Sequence, residues 1–111
     1  RLIERIPDYT TAQAVINEMK GEGVQPNNGN YDRLLERIPD YATGRIVINE
    51  MKGEGVQPSN GNYDRLLAKV PDYATGRIVI DEMKAAGVQP THENYKLLLQ
   101  KVPRQFRGQY I

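Results

Sequence analysis

Apolar residues along this chain recur three and four positions apart. In residues 27–58, Tyr31, Leu34, Leu35 and Ile38 fall at i, i+3, i+4 and i+7, which places them on one stripe of a short helix and predicts that the stripe is buried. Pro39 follows. Its ring clashes with the preceding turn and it has no N–H to donate, so this first helix is expected to end near Arg37. A second stripe then begins with Tyr41, Val47, Ile48 and Met51, widened by Ile46. Polar residues mark the ends of both helices. Asp40 can cap the second helix, and Asn27, Ser59 and Thr91, each directly after a proline, can cap successive first helices. Gly55 stands where a left-handed C-terminal cap belongs, Val56 supplies the apolar contact that follows such a cap, and Pro58 keeps the helix from resuming. The unit is thus a helix of about 10 residues, a tight turn and a helix of about 14.

The same unit is written more than once. "EMKGEGVQP" occupies 18–26 and 50–58 and returns as "EMKAAGVQP" at 82–90, always 32 residues on, and segments 27–58 and 59–90 differ at seven positions. A period in this range is the signature of an array in which each unit needs its neighbours to bury its apolar face. Residues 1–26 hold the tail of a first helix and a whole second helix, 27–58 and 59–90 are complete units, and 91–103 hold one further first helix. The chain starts inside a unit and without an initiator Met, as a fragment of a longer array would. Residues 104–111 form a tail: the stretch "PRQFRGQYI" opens with Pro103 as the turn does but carries no apolar stripe of useful length. The expected fold is all-α, an α-solenoid of six or seven helices in antiparallel pairs stacked as a right-handed superhelix. Gly44 and Gly76, with Ala12 in the first unit, stand inside the second helices. Glycine there costs about 1 kcal/mol relative to alanine, so the small residue points to a helix crossing close by.

The combination of "EMKGEGVQP", a Tyr five residues after each Pro (Tyr31, Tyr63, Tyr95) and "LL" three residues beyond the Tyr resembles the pentatricopeptide repeat family, here in shortened units. The tetratricopeptide pattern, with its Trp, Leu-Gly and late Phe, is absent. The resemblance covers the chain through about residue 102. It implies a helix-pair solenoid that binds single-stranded RNA, one base per repeat, in an intracellular or organellar setting. Each base would be read by the residue after the Tyr together with the residue after the next Pro: Asp32 with Ser59, Asp64 with Thr91, and Lys96 in the incomplete last unit. Short polar side chains of this kind can bond the Watson–Crick edge of a splayed base. Relative to the family, residues are missing at the turn "ERIPDYAT", carboxylates stand at Asp32 and Asp64, and the aliphatic residue that sandwiches bases is replaced by Gly29, Gly61 and Glu93.

Charge adds a second argument. The formal net charge is +1, which by itself points to no polyanion, but the distribution is uneven. First helices carry eight basic residues against five acidic ones, and second helices with their following turns carry five against nine. Arg5, Arg37, Lys69 and Lys101 share one register near the end of each first helix, and Arg1, Arg33 and Arg65 share another. If first helices line a concave face, Arg33, Arg37, Arg65, Lys69 and Lys101 can follow a phosphate backbone, each neutralised phosphate contributing through counterion release. The same cations also complement helix dipoles and pair with neighbouring glutamates on an ordinary solvated face. A protein-interaction or structural solenoid, gripping an extended peptide or docking by its open ends, is therefore the alternative, and exposed apolar ends predict end-to-end self-association.

Catalysis is not expected. The chain has no cysteine, which removes disulfides, thiolate chemistry and cysteine-based zinc sites. His92, the one histidine, sits beside Glu93 at a helix start without a partner, and "GEG" and "NGN" lie between helices with no preceding strand to make a phosphate loop. The tyrosines share the apolar stripe and are expected to pack within the protein. No cofactor is called for, and no apolar run approaches the roughly 18 residues of a membrane span.

Overall fold

The protein is described here by a computed structural model over residues 8–103. Six helices and no strand make up the regular structure of those residues: α1 (Asp8–Gly21), α2 (Asn28–Leu35), α3 (Tyr41–Gly53), α4 (Asn60–Leu67), α5 (Tyr73–Ala85) and α6 (His92–Leu99). The fold is all-α. The partial helix expected in residues 1–7 and the tail at 104–111 lie outside the described residues. The chain forms two compact units, Arg1–Pro58 and Ser59–Ile111, and the division falls at the joint between two sequence repeats.

Local chemistry places the helix starts and the ends of the second helices where the sequence predicts them. The Asp40 and Asp72 carboxylates accept the backbone N–H of Thr43 and Thr75, each at 2.8 Å, and satisfy donors that a helix start leaves unpaired. Gly23, Gly55 and Gly87 have φ of 80°, 80° and 81°. Beyond them the N–H groups of Val24, Val56 and Val88 return to the carbonyls of Met19, Met51 and Met83, each at 2.8 Å, closing a Schellman motif. A residue with a Cβ would pay about 1–2 kcal/mol for the left-handed backbone. The first helices are eight residues long, shorter than predicted, because their ends tighten into three-residue turns: Arg37 N–H bonds Leu34 O at 3.0 Å and Ile38 N–H bonds Leu35 O at 3.4 Å. Such turns carry the chain to the proline without another α-helical turn.

In the first unit α2 packs between α1 and α3, burying Tyr31, Leu34, Leu35, Ile38, Val47, Ile48 and Met51. In the second, α4 packs on α5 and α6, burying Tyr63, Leu66, Leu67, Val70, Val79, Ile80 and Met83. Each such side chain contributes about 1.5–3 kcal/mol by leaving water. The predicted stripes hold except that Tyr41 is only half-buried and Ile46 is turned outward. Ile46 and its counterpart Ile78 are 61% and 60% exposed, because each precedes a buried valine by one residue and so points about 100° away around the helix.

Gly76 marks a close approach, as expected. Both Gly44 and Gly76 are buried. A Cβ on Gly76 would lie 2.8 Å from Leu98 Cδ1 and 3.6 Å from Val70 Cγ2, so α6 crosses α5 at this point. Among the described residues no helix is long and apolar enough to cross a membrane.

Candidate nucleic-acid interface

The start of each first helix is built on an asparagine three residues after the N-cap, a position the N-cap pattern alone does not point to. Asn30, Asn62 and Asn94 stand three residues after Asn27, Ser59 and Thr91, and their Oδ1 atoms accept the N-cap N–H at 2.9, 2.8 and 2.7 Å. In return Asn30 N–H donates to Asn27 Oδ1 at 2.9 Å and Asn94 N–H to Thr91 Oγ1 at 3.3 Å. The Ser59 and Thr91 hydroxyls also donate to Oδ1 of Asn62 and Asn94, at 3.2 and 3.1 Å. This is a capping box with the shorter amide in place of Glu or Gln. Asn62 and Asn94 are fully buried, and burial makes these bonds obligatory. The signal in the sequence is the repeated "NNGN", "SNGN" and "THEN".

Asn94 has a further role. Its Nδ2 donates to Asp64 Oδ1, so Thr91, Asn94 and Asp64 form one hydrogen-bonded chain. The two residues that the family resemblance assigns to one base are thereby brought together, through a residue that the sequence reading did not single out. Asp64 is half-buried. Burial raises its carboxyl above the usual range, the Asn94 bond opposes that, Glu93 adds to it and Arg65 lowers it. Nearby, Asn60 Nδ2 donates to the Gln89 carbonyl at 2.6 Å, and in the first unit Asn28 Nδ2 donates to the Gln57 carbonyl at 3.1 Å. These bonds tie a helix start to the loop ahead of the next proline. Of the other pair, Asp32 is half-buried on α2 in the first unit and Ser59 is the exposed N-cap of α4 in the second. Lys96 is exposed on α6.

The expected phosphate-contacting cations are accessible to different degrees. Arg33, Arg37, Arg65 and Lys69 are exposed, and Lys101 is half-buried. Arg37 Nη1 donates to the Arg33 carbonyl at 2.8 Å, lending positive charge to the last turn of α2. It also lies 3.4 Å from Glu36 Oε1, and Arg33 Nη1 lies 3.7 Å from the same oxygen. One carboxylate therefore serves two cations in the first unit. Its counterpart in the second unit is Ala68, so Arg65 and Lys69 lack that neighbour. Exposed pairs of this kind contribute about 0–1 kcal/mol and weaken with salt, so Glu36 competes only modestly with a phosphate.

The acidic side of the first unit is engaged in packing. Lys20 Nζ bonds the Glu50 carboxylate and lies 3.6 Å from Glu54 Oε2, and Tyr31 OH donates to Glu50 Oε2 at 3.4 Å. The bond to Glu50 raises the Lys20 ammonium pKa. Tyr31 is raised chiefly by burial and further by the Glu50 charge. Tyr31 and Tyr63 are fully buried and are not placed to stack on bases, whereas Tyr95 is half-buried. His92 is exposed at the start of α6. Among the described residues no group of three His, Cys, Asp or Glu is placed to hold a metal.

No protein-family model matches this sequence, and no similar protein is found among curated ones.

Proposed function

We propose that this is a non-catalytic α-solenoid module of the pentatricopeptide type that holds single-stranded RNA through its first helices. Arg33, Arg37, Arg65, Lys69 and Lys101 contact phosphates. Asp32, Ser59, Asp64, Thr91 and Lys96 face the bases. The observation that carries this reading is the recurrence of accessible cations at one register, Arg37 and Lys69, in the turns that follow α2 and α4, helices whose own starts are capped. The Thr91–Asn94–Asp64 chain supports it, since preorganised polar groups lose little entropy when a base edge binds.

The capping box also limits what the bases meet. Thr91 spends its hydroxyl on Asn94, and Asp64 already accepts one bond, so base contacts at this repeat are weak and phosphate contacts dominate. Fluorescence anisotropy with short RNA and DNA strands over a salt series tests the reading. Changing Arg37 and Lys69 together to Ala is expected to flatten the slope of log K against log salt by about 1.4, at about 0.7 per phosphate on a single strand. An unchanged slope, or no binding at low salt, removes the proposal and leaves the protein-binding alternative.

A further inference from the structure

The first unit shows how three consecutive helices of the array pack. There α1, α2 and α3 are a second helix, a first helix and the next second helix. In the other unit α5 and α6 repeat the first two members of that triplet: Met83 and Tyr95 are the counterparts of Met19 and Tyr31, and α5 contacts α6 as α1 contacts α2. The third member has no counterpart among the described residues. We propose that α1 of a second copy of this chain occupies that place on α5 and α6, so that copies associate head to tail.

Both halves of the contact are visible as unfinished surfaces. On α6, Leu99 is 59% exposed, whereas its counterparts Leu35 and Leu67 are 1% and 0% exposed. Tyr95 and Val102 are half-buried where Tyr31 and Ile38 are buried. On α1, Val15 is 52% exposed, whereas Val47 and Val79 are fully buried, and Met19 is half-buried where Met51 and Met83 are buried. These positions lie on the stripes that are buried in the complete repeats.

Charge supports the same register. In the first unit Lys20 on α1 pairs with Glu50 and Glu54 of α3, Gln25 Nε2 donates to Glu54 O at 3.4 Å, and Tyr31 OH donates to Glu50. Moved to the proposed contact, these become Lys84 with Glu18 and Glu22 of the second copy, Gln89 with Glu22, and Tyr95 with Glu18. Lys84, Gln89, Glu18 and Glu22 are all exposed, and the charges are opposite in sign. A heterologous contact of this kind does not close on two copies and extends with concentration.

Sedimentation velocity from micromolar to millimolar protein tests the idea on the whole 111-residue chain. The weight-average mass is expected to rise steadily with concentration. Leu99→Glu blocks one surface and Val15→Glu the other, so each variant alone should stay at the 12.6 kDa monomer mass. Mixed, they should form a one-to-one dimer that grows no further, because each supplies the surface the other has lost. Helicity measured by circular dichroism confirms that the two exposed substitutions leave the fold intact. As a second test, Lys84→Glu and Glu18→Lys should each weaken association, and the chain carrying both should recover it. A wild-type chain that stays monomeric, a single Glu variant that still grows, or a mixture that forms no dimer would overturn the proposal.

Discussion

At the scale of single residues, Asn94 ties the start of α6 to α4 in the second unit. It is fully buried and bonds Thr91 and Asp64. Asn94→Ala leaves the Thr91 N–H and the Asp64 carboxylate without that partner and is expected to cost about 1–3 kcal/mol in urea unfolding. Asp64 itself makes a prediction in pH. Its folded pKa is raised, so the folded state binds the proton more tightly than the unfolded chain. Its contribution to stability is therefore full below the unfolded value and is lost as pH rises through the folded one. Asp64→Asn keeps an oxygen for Asn94 and removes the desolvated charge. That variant is expected to lose this part of the pH dependence and to match or exceed the wild type at pH 7, by up to about 0.5 kcal/mol. A clear loss of stability at pH 7 would show that the carboxylate charge is itself stabilising. Neither effect is legible in "NYD" or "THEN" alone, since a lone Asn after a cap reads as an ordinary polar residue until its second partner, 30 positions away, is placed beside it.

At the scale of helices, the ends were readable and the crossings only partly so. A cap depends on the backbone within one turn, so "PDYAT" and "GEGV" specify a start and a stop wherever they occur. Gly87→Ala, at φ +81°, is expected to lower stability by about 1 kcal/mol for the same local reason. Asp72 behaves oppositely to Asp64: bonds from Thr75 hold its carboxyl below the usual range, so the cap is in force above the unfolded pKa and fades as pH falls through the folded one. Helicity that declines in acid less steeply in Asp72→Asn than in the wild type would check this. Gly76 is different, because its reason for being small is another helix. Gly76→Ala should change stability by no more than about 1 kcal/mol, since the contact at 2.8 Å is the tip of the Leu98 side chain and helix propensity favours Ala. Gly76→Leu should cost about 1–3 kcal/mol or more by overpacking against Leu98 and Val70.

At the scale of the whole molecule, repetition governs what can be inferred. A change that makes one helix pair better or worse is copied into each unit by the 32-residue period, so charges line up in columns whether or not they bind anything, and equivalence between repeats becomes a tool. That equivalence exposes Leu99 and Val15 as unfinished positions, which neither residue shows alone. The helix contacts within each unit join neighbours or next-neighbours along the chain, a local topology of the kind that folds in microseconds to milliseconds.

The sequence by itself determined the all-α class, the period, the capped ends and most of the buried stripe, because each depends on residues within about one helical turn of one another and on their apolar or polar character. Tertiary structure decided the rest. It turned Ile46 outward beside a buried Val47, set Leu98 against Gly76, joined Lys20 to Glu50 and engaged Asp64 with Asn94. All but the first of these link helices, and even Ile46 is settled by which side of α3 has a neighbour. A pattern along one helix states which face is apolar; only the packed neighbours state which polar groups on that helix are already used.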